Sequence, residues 1–309
     1  MLKNSLLKKV FIILSCLFLM FILYLFPQIE DEPKTTVTKN TNNQTPLYLI
    51  DNNFYVAKVG VVINTKNKIT KVKEIISYLT VNSKNSAYIK EGFSPIIPRN
   101  TKVLSVQLDE DLLKVNFSKE FYNINEEDEE KLLSSLIYSL TSIDGINKIT
   151  IYIEDSVLNE LPHSKKPLAP TLDRSFGINK TYDLTSYKNI TNTTVFYLSK
   201  YKDYYYYVPV TMVNNETKEK MEIIIKELTS KAIYQTNLIS YLKDVKQFSY
   251  EVTDEYLLVK LSNELYKDLN ESHLIETVIY SMNLSIKENY NVKTVMYMVN
   301  ETIFDSYIW

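Results

Sequence analysis

The sequence predicts an α+β protein. It reads as two tandem small domains, each a mixed β-sheet with two helices packed on one face in the order β-β-α-β-β-α-β, after an N-terminal transmembrane helix. Three observations predict this. The chain beyond residue 46 is written twice, its apolar residues switch between the strand period and the helix period, and one unbroken apolar run lies near the N-terminus.

The duplication is direct. Leu113, Val115, Phe117, Ser118, Glu120 and Tyr122 recur as Leu257, Val259, Leu261, Ser262, Glu264 and Tyr266, shifted by 257 − 113 = 144. Upstream, Val59, Ile75, Ile76 and Leu79 map to Val208, Ile224, Ile225 and Leu228, shifted by 149. Downstream, the stretch Leu132 to Leu140 matches Leu274 to Met282, shifted by 142. A period this long is a repeated domain, not a solenoid.

Residues 1–9 carry Lys3, Lys8 and Lys9 and form an expected cytoplasmic tail. Val10 to Phe26 is apolar throughout, and at about 1.5 Å per residue it spans roughly 25 Å, near the lower limit for a membrane helix. The lysine bias sends the rest of the chain outside. Ile13-Leu14-Ser15-Cys16 resembles a bacterial lipobox, which makes Cys16 a lipidation candidate. A transmembrane anchor is the favoured reading, because apolar sequence continues well past Cys16 and the stretch before it is short for a signal core. Residues 27–46 are polar, lack apolar periodicity and read as a flexible linker.

The first domain is expected over 47–186. Tyr48–Ile50 and Tyr55–Ile63 read as strands around Asp51-Asn52-Asn53. Val72, Ile75, Ile76 and Leu79 share one face of a helix over Thr70–Val81. Alternation at Leu104, Val106 and Leu108, and again at Leu113, Val115 and Phe117, makes a hairpin about Asp109-Glu110-Asp111. A second helix, Glu127–Thr141, buries Leu132, Leu133, Leu136, Ile137 and Leu140, and its acidic first turn complements the helix dipole. Ile149–Ile153 closes the sheet. The second domain, 187–309, repeats the order: strands near 194–199 and 205–213, helix 218–229, hairpin 247–261, helix 272–287 and strand 293–298.

Composition excludes several function classes. Net charge is −2, which gives no footprint for nucleic acid, and four glycines supply no phosphate-cradling loop. Cys16 is the only cysteine and His163 and His273 the only histidines, so no disulfide framework, thiolate metal site or cofactor is expected. Ser118 and Ser262 have no histidine partner and read as turn or capping hydroxyls. No catalytic residue is predicted.

Two stretches are candidate interaction surfaces. In the run Tyr204, Tyr205, Tyr206, Tyr207, alternate rings face opposite sides. One reading has an exposed pair stacking on peptidoglycan sugars or a partner's rings; the other has one pair in the core and the other as ordinary strand surface. Arg174 and Phe176, after a Pro-rich loop, would clamp a carboxylate, bridge the two domains or serve the connection between them.

Ile97-Pro98-Arg99-Asn100-Thr101-Lys102-Val103-Leu104 resembles the hairpin entry of the GerM family, built from GerMN sporulation and germination domains, with Asn100 where that family usually has glycine. Leu113 to Phe121 is similar to the family's VDFS-x-EF segment, and Tyr207 to Thr211 to the strand before its first helix. Copy two lacks the hairpin-entry motif; Tyr241 to Val245 fills its place. The resemblance covers roughly 47–309. It implies a non-catalytic membrane-anchored envelope protein, a scaffold that self-associates, builds rings or binds envelope proteins in sporulation and germination. The alternatives it leaves open are a peptidoglycan-binding module and a general envelope lipoprotein outside sporulation.

Overall fold

The computed structural model describes residues 44–215, 217–229, 248–271 and 274–308. The expected tail and anchor with Cys16, most of the linker, Tyr241 to Val245 and His273 lie outside the described residues. Among the described residues no helix is long and apolar enough to cross a membrane.

The first copy starts earlier than its pattern announces. Strands β1 (Gln44–Asp51) and β2 (Val56–Val62) pair antiparallel with Tyr48 opposite Lys58. Helix α1 (Lys68–Leu79) is capped by Asn67, whose side chain accepts the Thr70 amide, and buries the four expected apolar residues. A short strand β3 (Phe93–Ser94) adds to β1. The hairpin β4 (Val103–Asp109) and β5 (Leu112–Phe117) leads to α2 (Glu129–Leu140). Strand β6 (Lys148–Ile153) returns parallel to β5, and β7 (Ser156–Val157) turns back on it.

The second copy follows a three-residue strand β8 (Thr181–Asp183). It comprises β9 (Thr191–Tyr201), β10 (Tyr204–Asn214), α3 (Lys220–Thr229), β11 (Phe248–Val252), β12 (Tyr256–Leu261), α4 (Asn263–Glu271), α5 (Ile275–Asn289), β13 (Thr294–Val299) and β14 (Thr302–Ile308). Strands β3, β7, β8 and β14 have no alternation long enough to announce them, whereas helix α4 buries Leu265 and Leu269 at i, i+4, a helical spacing that the sequence reading passes over. Ser262 accepts the Leu265 amide at 3.2 Å at the start of α4, and Ser118 accepts the Lys102 amide at 2.9 Å.

The expectation of one mixed sheet per copy needs correction. Each copy's second hairpin and closing strand form a separate four-stranded sheet, ordered β4-β5-β6-β7 and β11-β12-β13-β14. The two first hairpins merge into one six-stranded sheet along β3-β1-β2-β10-β8, with β9 on β10. Alternation reports which face of a strand is buried but is silent on which strand lies beside it.

The β1 and β9 edges of the shared sheet are met by helix side chains. β3 reaches β1 only at Ile50 and Asp51, so the outward amide and carbonyl of Tyr48 need other partners. Ser139 Oγ accepts the amide at 2.9 Å and Ser135 Oγ donates to the carbonyl at 2.5 Å. In copy two Ser285 accepts the Phe196 amide and Ser281 donates to the Phe196 carbonyl in the same way. This equivalence sets the helix offset at 281 − 135 = 146. Parallel pairing of Leu113 with Ile149 and of Leu257 with Val295 gives the same offset, 295 − 149 = 146. The sequence match at 142 is therefore one helical turn out of register, because an apolar helix face looks alike after four residues.

Asn100 sits at φ 66°, the left-handed region that glycine enters freely and asparagine tolerates. That backbone explains why this position takes glycine or asparagine.

Candidate functional site

The two copies meet along a seam into which the connecting segment is built. β2 and β10 pair directly only at Lys58 and Tyr207. Beyond that point Asn179 stands in for the ladder. Its Oδ1 accepts the Val56 amide at 2.9 Å, and its Nδ2 donates to the carbonyls of Val56 at 2.8 Å and Pro209 at 2.7 Å. The Thr211 amide donates to the Ile178 carbonyl at 2.9 Å, and β8 then runs parallel to β10 from Met212 to Asn214.

Arg174 lies at the helix ends beside this seam. Its Nη1 donates to Glu288 Oε2 at 2.5 Å, its Nε to Thr141 Oγ1 at 2.9 Å, and its Nη2 to Ser142 Oγ at 3.0 Å and the Tyr138 carbonyl at 3.2 Å. The Tyr138 ring centroid is 4.8 Å from the guanidinium carbon. Ser142 and Glu288 are equivalent positions under the 146 offset, so one guanidinium holds the same point on both copies. Burial works against its charge, but the Glu288 carboxylate and the Tyr48 and Tyr138 hydroxyls outweigh this and raise its pKa. Phe176 is partly buried under the Lys180 ammonium, 4.3 Å from its ring centroid.

Lys58 is the second cation of the seam. Its Nζ donates to Tyr280 Oη at 3.1 Å. Burial, then the positive charges of Arg174 and Lys287, pull its pKa down to about 7 against the opposing pull of Glu288. Neither Lys58, Asn179 nor Glu288 stood out in the sequence, since a lone polar residue in a strand or at a helix end looks like solvated surface.

The tyrosine run is distributed over this seam. Tyr204 and Tyr206 share Phe93, with ring centroids at 6.2 and 5.0 Å. The Tyr204 hydroxyl donates to the Glu91 carbonyl, and the Tyr206 hydroxyl donates to Asp51 Oδ2 at 2.9 Å. Burial pushes the Tyr206 pKa up to about 12 and also raises that of Asp51. Tyr207 packs on Tyr280 at 5.2 Å and donates to the Thr277 carbonyl at 3.3 Å. Tyr205 is 36% exposed, with the Lys200 ammonium 5.4 Å from its ring centroid.

A cleft of about 760 Å³ opens where both copies and the connector meet. Glu126, Glu127 and Glu130 line one wall, and Ile223, Lys226 and Glu227 another. The connector from Asn179 to Asp183 also lines it, and Phe54 and Tyr182 stand exposed beside it. The acidic first turn of α2 does more than face its dipole. Glu130 binds Lys166 at 2.8 Å and Lys180 at 2.9 Å, and buried Glu129 accepts from His163 N and Ser164 Oγ. Among the described residues no group of three or more His, Cys, Asp or Glu side chains is placed to hold a metal ion.

A family model, Germane (sporulation and spore germination), matches residues 46–159. The spore germination protein GerM of Bacillus subtilis (strain 168) is 31% identical over 225 residues, which cover 71% of this chain and 58% of GerM. The chain is homologous to GerM. The solved tandem GerMN domains of the sporulation protein GerM from Bacillus subtilis match with a TM-score of 0.71 at 25% identity, covering 83% of this chain and 90% of that one. The family model reaches only the first copy, and the structural match to GerM extends the likeness through the second. The two-domain α+β architecture is thus that of tandem GerMN domains, and the chain spans less than two thirds of the length of its curated relative.

Proposed function

We propose that this chain is a non-catalytic, membrane-anchored envelope scaffold that acts in sporulation and germination by holding other proteins. The observation that carries the reading is the seam. Arg174, Asn179 and β8 join two homologous domains through a continuous sheet, which supports a fixed two-domain shape presented to partners. The homology to GerM supplies the process. In this reading residues 1–9 are cytoplasmic, 10–26 span the membrane, 27–43 tether, and the GerMN-like domains, the first beginning with β1 at Gln44 and the second spanning 187–309, lie outside the cell membrane. Partners are envelope proteins or further copies of the chain in a ring, and Arg174 and the tyrosine run act chiefly within the molecule, with Tyr205 the ring most open to a partner.

Imaging a fluorescently tagged chain through starvation tests this. Enrichment at the asymmetric septum and engulfing membranes, with cross-links to other envelope proteins, is expected. Uniform labelling with only monomers after cross-linking would refute it. Co-sedimentation of the domains with purified peptidoglycan, and its loss in Tyr205→Ala, would instead favour wall binding.

A further inference from the structure

The interdomain cleft has features that neither fold stability nor the seam explains. β8 pairs with β10 on one side, and among the described residues no backbone group of Thr181, Tyr182 or Asp183 bonds to anything on the other. These three residues line the cleft, so the cleft contains an open strand edge. An uncovered edge is a liability unless something pairs with it. Phe54, at the tip of the β1–β2 turn, is 73% exposed and held at φ 64°, and Tyr182 is 62% exposed. A bulky non-glycine residue in the left-handed region is strained, and an exposed one returns nothing by burial. Both aromatic rings border the same cavity, together with the apolar side chains of Met212 and Ile223.

The charges have a sign. Every lysine lining the cleft is in an ion pair: Lys131 with Asp128, Lys166 and Lys180 with Glu130, and Lys226 with Glu227. Glu126, Glu127 and Asp183 also line it, are exposed, and have no ion-pair partner among the described residues. Lys166 and Lys180 share Glu130, which leaves one positive charge over, so against the three unpaired carboxylates the surplus is 3 − 1 = 2 negative charges.

We propose that the cleft binds an extended basic peptide segment of a partner protein, which adds as a strand to β8. Alternate side chains of the guest pack on Phe54, Tyr182 and Met212, while its lysines or arginines face Glu126, Glu127 and Asp183. Main-chain pairing to a free edge supplies affinity, and pockets for alternate side chains supply selectivity. The cavity is within the roughly 300–1,000 Å³ of ordinary ligand sites and lies at a domain junction, where such sites concentrate. Both copies contribute walls, so the site exists only because the two domains are fused. This adds the chemistry of a partner to the scaffold reading and rests on it, but the test below uses purified protein and can fail while septal localisation stands.

The probe is a set of short N-acetylated, C-amidated peptides alternating Lys or Arg with Val, Ile, Leu or Phe, titrated by fluorescence polarisation against the full chain in detergent. Saturable binding is expected. E126Q/E127Q, on exposed side chains, should weaken it by roughly 3- to 10-fold. N-methylation of alternate peptide amides on the face meeting β8 should abolish it, whereas methylation on the other face should not. The proposal is overturned if no peptide binds saturably, if N-methylation in either register is harmless, or if E126Q/E127Q binds as the parent does. It is equally overturned if peptides bind only after residues 28–43 are deleted, or only when dimers of the chain dissociate. Those results would make the chain's own tether or a second copy the occupant.

Discussion

Replacing Asn283 should stabilise the protein. Asn283 is fully buried on α5, and among the described residues neither its Oδ1 nor its Nδ2 has a hydrogen-bond partner. Under the 146 offset its counterpart in copy one is Ile137, equally buried in α2. A buried polar group without a partner costs about 1–3 kcal/mol, and leucine matches the shape of asparagine without that cost. Leucine also has the better helix propensity by a few tenths of a kcal/mol. Asn283→Leu is expected to stabilise by about 1–3 kcal/mol, and Asn283→Asp, which puts a charge at the same spot, to destabilise. At roughly 2–4 °C per kcal/mol for domains of this size, the leucine variant should melt some degrees higher in a thermal scan followed by circular dichroism. A leucine variant that melts at or below the parent's temperature would refute the reasoning. It would mean that the amide is satisfied, by an internal water for instance, or that the site has no room for two methyl groups.

The seam and the edges of the shared sheet give three further outcomes. In a double-mutant cycle by chemical denaturation, Arg174→Ala and Glu288→Gln should show a coupling of about 1–3 kcal/mol, because Glu288 is only 8% exposed and loses its main cation; additive effects would show that the pair holds nothing. Lys58 has a folded-state pKa near 7 against an ordinary 10.5, so between those values the unfolded chain binds the extra proton and stability rises with pH. Urea unfolding at pH 7 and pH 9 should show the parent gaining on the order of 2 kcal/mol relative to Lys58→Met, and a parallel response of the two proteins would contradict this. Below pH 7 both states hold the proton and the difference should level off. Ser139→Ala should cost about 1–3 kcal/mol by orphaning the Tyr48 amide at the sheet edge, and Ser285→Ala should do the same for Phe196; hydrogen exchange at those two amides would check it.

The regular, periodic elements are legible in the sequence. The alternation at Leu113, Val115 and Phe117 and the stripe at Leu132, Leu136 and Leu140 specify a strand and a helix because burying one face demands that spacing. The duplication specifies two copies of one unit, and one cysteine and two histidines leave no disulfide framework or thiolate metal site to expect. Irregular pieces were not legible. β8 is three residues long and is a strand only because Met212 to Asn214 lie beside it. Arg174 could be named as a bridge, but its acceptor Glu288 lies 114 residues away and carries no local signal. The merging of two hairpins into one sheet, the one-turn slip in helix register and the cleft between the copies emerge only on packing. The physical reason is common to all three. Side-chain periodicity encodes which face of an element turns inward, whereas the choice of neighbour depends on backbone groups that every residue carries alike.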